Sequence, residues 1–214
     1  DAEWDAADYD YNVVRWSSEP DGNLLGIGPR VSNPITGEII SADVVNKLLA
    51  IKLGYNYRKL YGYTEDNDPL MQYITNLTLH EVGHALGLRH NFRGSYLYSP
   101  DEIHDKTITG NVLMSSVMDY DPINVAPQGI EQGVYFSTEP GIYDKWAIKF
   151  GYTPNLSDEE RTELLRQSVK RELTFGTDDD AMSYPGNNID PRTKRYDMSN
   201  DPIGYAEDIV KIVD

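Results

Sequence analysis

The stretch HEVGHALGLRH, from His80 to His90, places three of the chain's four histidines within eleven residues. No other feature restricts the fold as tightly. Positions four apart on a helix share a face, so His80 and His84 can offer both imidazoles to one ion without bending the backbone. Glu81 follows the first histidine, which brings a carboxylate to the edge of the coordination sphere, free to deprotonate a water instead of ligating. A third imidazole can join only if the helix stops and the chain turns back. Gly87 tolerates the left-handed conformation that such a stop requires, and His90 follows three residues later. Three neutral nitrogens leave one tetrahedral position open, which is the pattern of a catalytic zinc site and not a structural one. The sequence therefore predicts one Zn2+, held by His80, His84 and His90, with Glu81 as general base. HExxH alone also occurs on amphipathic helices that bind nothing; Gly87 and His90 are what set this stretch apart.

At 214 residues the chain can bury one good core, and a single domain spanning 1–214 is expected. Within it, residues 1–90 would form a sheet and the metal-bearing helix, and 91–214 a largely helical second part. The net charge of −16 opposes nucleic acid and anionic membrane surfaces as partners. It leaves basic substrates or calcium open, beside the plain alternative of a solvated acidic surface. There is no cysteine, so disulfides, thiolate ligation and a cysteine latch from within these residues are excluded. No apolar run is long enough to span a membrane. The start, Asp1-Ala2-Glu3-Trp4-Asp5, reads as neither a signal peptide nor an initiator, which predicts a segment excised from a longer polypeptide.

Residues 1–10 lack periodicity and read as a loose lead-in. Tyr11 to Ser17 fits a strand, and Glu19-Pro20-Asp21-Gly22-Asn23 a turn. The runs Leu24–Ser32 and Glu38–Ile40 flank Asn33-Pro34-Ile35-Thr36-Gly37, a hairpin or tight reversal that Pro29 and Pro34 mark as an edge. Such an edge can be purely structural, or it can pair its backbone with an extended peptide. Ser41 is read as the cap of a helix carrying Val44, Val45, Leu48, Leu49 and Leu53 toward Tyr61. Asp68-Pro69 starts a second helix that runs to about Leu86, with Leu70, Ile74 and Leu77 on apolar faces.

Residues 91–113 read as a long loop with one helical turn after Ser99. His104, among charged neighbours there, is expected to be solvated and away from the metal. Ser115-Ser116-Val117-Met118-Asp119-Tyr120 is the second informative stretch. Met118 on its own would be core filler. Beside a zinc motif it predicts a methionine turn, an apolar and polarisable floor under the imidazoles. Tyr120 could then aim its hydroxyl at the metal or at a developing oxyanion. Later helices are predicted after Ser137-Thr138-Glu139-Pro140, after the capping box Ser157-Asp158-Glu159-Glu160, and after Asp201-Pro202. The second of these would keep Leu164, Leu165, Val169 and Leu173 on one face. Asp178-Asp179-Asp180 could bind Ca2+, but it lacks EF-hand spacing and is read first as a solvated turn.

Taken together, HExxHxxGxxH and the methionine turn resemble the metzincin clan of zinc endopeptidases. The form Ser116-Val117-Met118-Asp119-Tyr120 looks like the turns of astacins and serralysins, where the tyrosine can be a displaceable extra zinc ligand. Asn91, directly after the third histidine, departs from both. Most of the chain is similar to a group of long bacterial zinc-dependent metalloproteases, through Tyr11–Ser17, Gly28–Ile39, the run to Asn91-Phe92, Tyr143–Ile148 and Ser199–Pro202. The resemblance implies a metzincin-like α+β fold, a small twisted mixed sheet packed on helices with a mostly helical C-terminal part. It implies a secreted, periplasmic or envelope-associated peptidase acting on proteins or peptides. In such proteases a first strand and long helix would precede the strand at Tyr11. Two alternatives stay open: a zinc-dependent peptide-recognition or adhesion module without turnover, and a toxin-like protease with one substrate.

Overall fold

A computed structural model describes residues 5–9, 11–18, 25–181 and 190–213. The turn expected at Glu19–Asn23, the first four residues and Asp10 of the lead-in, and the start of the Leu24 run lie outside them. The architecture is α+β. Strands β1 (Val14–Ser17), β2 (Gly26–Ile27) and β5 (Val44–Lys47) form a mixed sheet in the order β1-β5-β2. β1 runs parallel to β5, pairing Val14 with Val44, and β2 antiparallel to it, pairing Ile27 with Val45. This leaves β2 at the edge of the sheet, against the metal-bearing helix.

Between them, β3 (Arg30–Ser32) and β4 (Ile39–Ala42) form the expected hairpin. Asn33 and Glu38 close its turn backbone to backbone, and Gly37 supplies a positive φ of 77°. Ser41 does not cap a helix. It lies inside β4, and Val44 and Val45 belong to β5, so helix α1 (Leu48–Tyr61) starts later, after Lys47, without a side-chain cap. The reason is tertiary. The β-branched run pairs with β1, and the alternation buries Val44 and Asn46, so ladder and packing override a local serine signal.

Helix α2 (Pro69–Ala85) forms as read, with the Asp68 carboxylate accepting from the Leu70 amide and proline in the first turn. Its buried stripe is not the predicted Leu70–Ile74–Leu77 set. Pro69, Gln72, Tyr73, Asn76, His80 and Glu81 face inward, so a largely polar ridge enters the interior. Burying it is tolerable because partners wait for it. Gln72 Oε1 accepts from the amides of Tyr135 and Phe136, and the Asn76 amide donates to the Ser137 carbonyl.

Two apolar clusters hold the domain. Ala50, Tyr73, Tyr135 and Phe136 join α1 to α2, while Ile103, Leu113, Met114, Val134, Met198 and Tyr205 form the other. The loop after His90 is more structured than expected: a 3-10 turn at Gly94–Leu97, a reversal after Ser99, and helix α3 (Lys106–Thr109). His104 is buried, not solvated, although it stays apart from the other three histidines. Helix α4 (Ile142–Tyr152) follows Pro140 as expected, with Gly141 as its cap and the Asp144 carboxylate accepting from the Gly141 amide.

Helix α5 (Asp158–Arg166) has the predicted Ser157–Glu160 box. It ends before Val169 in two 3-10 turns, so Leu164 and Leu173 are buried while Leu165 and Val169 are exposed. A short α6 (Asp178–Ala181) and a terminal α7 (Pro202–Val213) complete the chain. No helix among the described residues is long and apolar enough to cross a membrane.

Candidate metal centre

Helix α2 ends in a Schellman closure. The Leu88 amide donates to the Gly83 carbonyl and the Gly87 amide to His84, with Gly87 at φ 97°. This turn does more than stop the helix. It aims the Leu88 carbonyl back at His84, whose Nδ1 lies 3.0 Å from it. The second imidazole is held from the methionine turn: His80 Nδ1 is 2.7 Å from the Val117 carbonyl. The third is held by a carboxylate, with His90 Nδ1 2.8 Å from Asp178 Oδ2.

Carbonyl and carboxylate oxygens only accept, so each Nδ1 must carry the proton and each Nε2 a lone pair. These lone pairs converge. His84 Nε2 and His90 Nε2 are 3.1 Å apart, and the candidate ligand atoms of the three histidines lie within 4.8 Å of one another. Neutral acceptors at that spacing repel unless a cation sits between them, and a tetrahedral zinc site separates its nitrogens by about 3.3 Å. Burial also disfavours a proton on two of the rings. Desolvation, with His84 nearby, drives His80 down to about 3, and desolvation lowers His84 as well. The residues present fit a zinc ion, with His80, His84 and His90 to hold it.

Glu81 is buried beside them, and its Oε2 has no hydrogen-bond partner. Burial alone pushes its carboxyl up to about 7, and a neighbouring cation would draw it back toward the ionised form. The edge strand passes directly over it. A Cβ on Gly26 would lie 2.6 Å from Glu81 Oε1, and one on Gly28 only 2.4 Å from the Glu81 carbonyl oxygen. Glycine is what lets this backbone approach so closely. Tyr120 stands on the opposite side, its hydroxyl donating to His90 Nε2 at 3.0 Å, with burial first and Asp178 second raising it to about 12.

Met118 is fully buried under the helix, its Sδ pressed on Gly83. The turn is pinned by Asp144, which accepts from the Ser116 hydroxyl at 2.6 Å and the Val117 amide at 2.8 Å. Asn91, the residue that departs from astacins and serralysins, has a use here. Its amide nitrogen in the backbone donates to the Met118 carbonyl, while its side chain bridges Thr174 and Gly176. It ties the third ligand to the turn below and to the segment leading into Asp178.

The aspartate run forms the short helix α6, and its three side chains take different partners. Asp178 holds His90 and takes Arg195, Asp179 pairs with Arg89, and Asp180 accepts from the Thr177 amide, so the three carboxylates diverge. Asp178 and Asp144 are the functional residues that sequence reasoning missed. A signal existed for the first, since His90 needs an acceptor for Nδ1, but nothing local joins positions 88 apart. Replacing Asp178 with Ala should weaken zinc affinity by about 10- to 100-fold, measured by competition with a chromophoric chelator. Asp178→Asn, which keeps an acceptor, should lose less, and equal affinity in all three proteins would contradict the orienting role.

A water-accessible cleft of ≈ 460 Å³ runs across this centre, walled by the β2 edge on one side and by Tyr120, Asp121 and Tyr196 on the other. Fold and site thus define a class: an α+β domain whose long helix and glycine turn bring three histidines together, where they could hold one metal ion, over a methionine floor. Residues 63–214 match the Met-zincin family model, and the chain belongs to that family. No curated protein and no solved structure matches the chain.

Proposed function

We propose that the protein is a zinc-dependent endopeptidase. The observation that carries this reading is the convergence of three Nε2 lone pairs, each fixed by an acceptor on Nδ1, beside a buried carboxylate with one oxygen unpartnered. A zinc ion held there would supply Lewis acidity toward the scissile carbonyl and make water acidic enough to attack at neutral pH.

The chain's own residues do the rest. Glu81 accepts the proton of the attacking water and delivers it to the leaving amine, a role that its buried position next to His80 supports. Tyr120 turns its hydroxyl from His90 to the oxyanion that develops on the carbonyl oxygen. The β2 edge has one side paired with β5 and the other lining the cleft. An extended peptide adding itself to that edge would gain backbone hydrogen bonds without a fixed side-chain sequence. Protein or peptide is therefore the substrate class.

The test is cleavage of an unstructured protein. Purified protein should degrade it, stop when a chelator removes the metal, and resume when zinc is returned at one equivalent. Full zinc occupancy without any cleavage across a diverse peptide set would instead point to a peptide-recognition module.

A further inference from the structure

Asp121 lies in the wall of the cleft, and no step above uses it. The methionine turn carries it two residues past Asp119, a residue whose own carboxylate is committed. Asp119 accepts from the Ser95 and Tyr120 amides, so it serves the backbone. Asp121 is different. Its Oδ2 accepts from the Asn76 side-chain amide at 3.3 Å, no basic side chain pairs with it among the described residues, and burial pushes its carboxyl up to about 7, so a cation beside it would draw it to the ionised form.

Leu25, Tyr73, Leu77 and Tyr196, all apolar or aromatic in body, line the same cleft. An apolar passage ending at an unpaired carboxylate matches one kind of guest. A lysine or arginine side chain lays its methylene stem on apolar surface and needs an anion at its tip. A negatively charged tip would meet repulsion there. An uncharged apolar side chain would leave the carboxyl desolvated, with Asn76 alone to pair with it. Asn76, anchored by the Ser137 carbonyl on the same helix as the ligands, fixes where the carboxylate points.

We infer that Asp121 selects peptides with a lysine or arginine close to the scissile bond, the carboxylate taking the cationic tip while Leu25, Tyr73 and Leu77 take its stem. This rests on the endopeptidase reading for its meaning in catalysis, but the recognition itself is testable without turnover.

Two measurements decide it. In a peptide library cleaved by the zinc-loaded protein, Lys and Arg should be enriched at one position flanking the cut. Matched peptides should show kcat/KM on the order of 10- to 100-fold above the norleucine version, the range of a hydrogen bond to a charged group. Asp121→Asn should erase that preference while still cutting the norleucine peptide. The second measurement uses the zinc-loaded Glu81→Gln protein and fluorescence anisotropy. The Lys peptide should bind more tightly than its norleucine counterpart by a similar factor, and Glu81→Gln/Asp121→Asn should bind both alike.

Equal binding of the Lys and norleucine peptides overturns the inference, and so does a library with no cationic position. Should Asp121→Asn fail to fold, the comparison of the two peptides on the protein with Asp121 intact still decides. Selective binding without cleavage of any peptide by the unaltered protein would sink the peptidase reading and leave the cation-selecting carboxylate standing.

Discussion

Glu81→Gln should keep one equivalent of zinc and its fold, and lose turnover on an unstructured substrate by about 10³- to 10⁴-fold. Glutamine has the same shape and the same reach, so the β2 backbone at Gly26 still fits over it. What it cannot do is take a proton. The three ligands and the acceptors that orient them, Val117, Leu88 and Asp178, involve no atom of this side chain, so metal affinity should stay within a small factor of the parent. The measurement pairs metal content with kcat under saturating substrate. Turnover within tenfold of the parent at full zinc occupancy would remove Glu81 from the role of base, and loss of zinc would show that it acts through the metal site instead.

The features that were legible in the sequence are those in which one short stretch contains its own explanation. Asp68-Pro69 starts a helix, Gly87 ends it, and Asn33–Gly37 reverses the chain, each through backbone chemistry settled within a few residues. The same holds for the convergence of His80, His84 and His90, whose spacing is a property of one helix and one turn. Ser41 misled because its neighbours' partner strand lies elsewhere in the chain: Val44 pairs with Val14, and that pairing decides between helix and strand. Helix α2 misled for a related reason. Its periodicity is real, but the stripe that faces inward is the one whose hydrogen-bonding partners arrive from Tyr135, Phe136 and Ser137, far along the chain.

His104 and Asp178 make the same point from opposite sides. Among charged neighbours in a loop, His104 reads as solvated, yet the loop folds onto the core and buries it. In a run of three aspartates, Asp178 reads as surface, yet it orients a metal ligand. Charge composition near a residue describes its sequence neighbours and not its spatial ones. The orienting carboxylate of a metal site is bound to be missed wherever the fold brings it from a distant segment.

Gly83 gives the second large effect, and it tests the methionine floor directly. A Cβ at this position would stand 2.2 Å from Met118 Sδ, with Met118 fully buried and Val117, one residue before it, held to His80. Met118 is fully buried, so its thioether can shift only by displacing its neighbours, and Gly83→Ala should cost about 3 kcal/mol, the upper part of the range for overpacking a core. This outweighs the gain of up to about 1 kcal/mol that alanine would bring to a helix interior. Met118→Ala alone leaves a cavity and should cost about 2–5 kcal/mol. Combined, each change relieves the other, because the added methyl enters the space that the thioether vacated. Urea unfolding of the four metal-free proteins should therefore show a double variant that is more stable than the sum predicts by at least about 1 kcal/mol, the coupling expected of residues in contact. Costs that simply add would mean that the methionine does not bear on the helix at Gly83, and the floor under His80 and His84 would lose its physical basis.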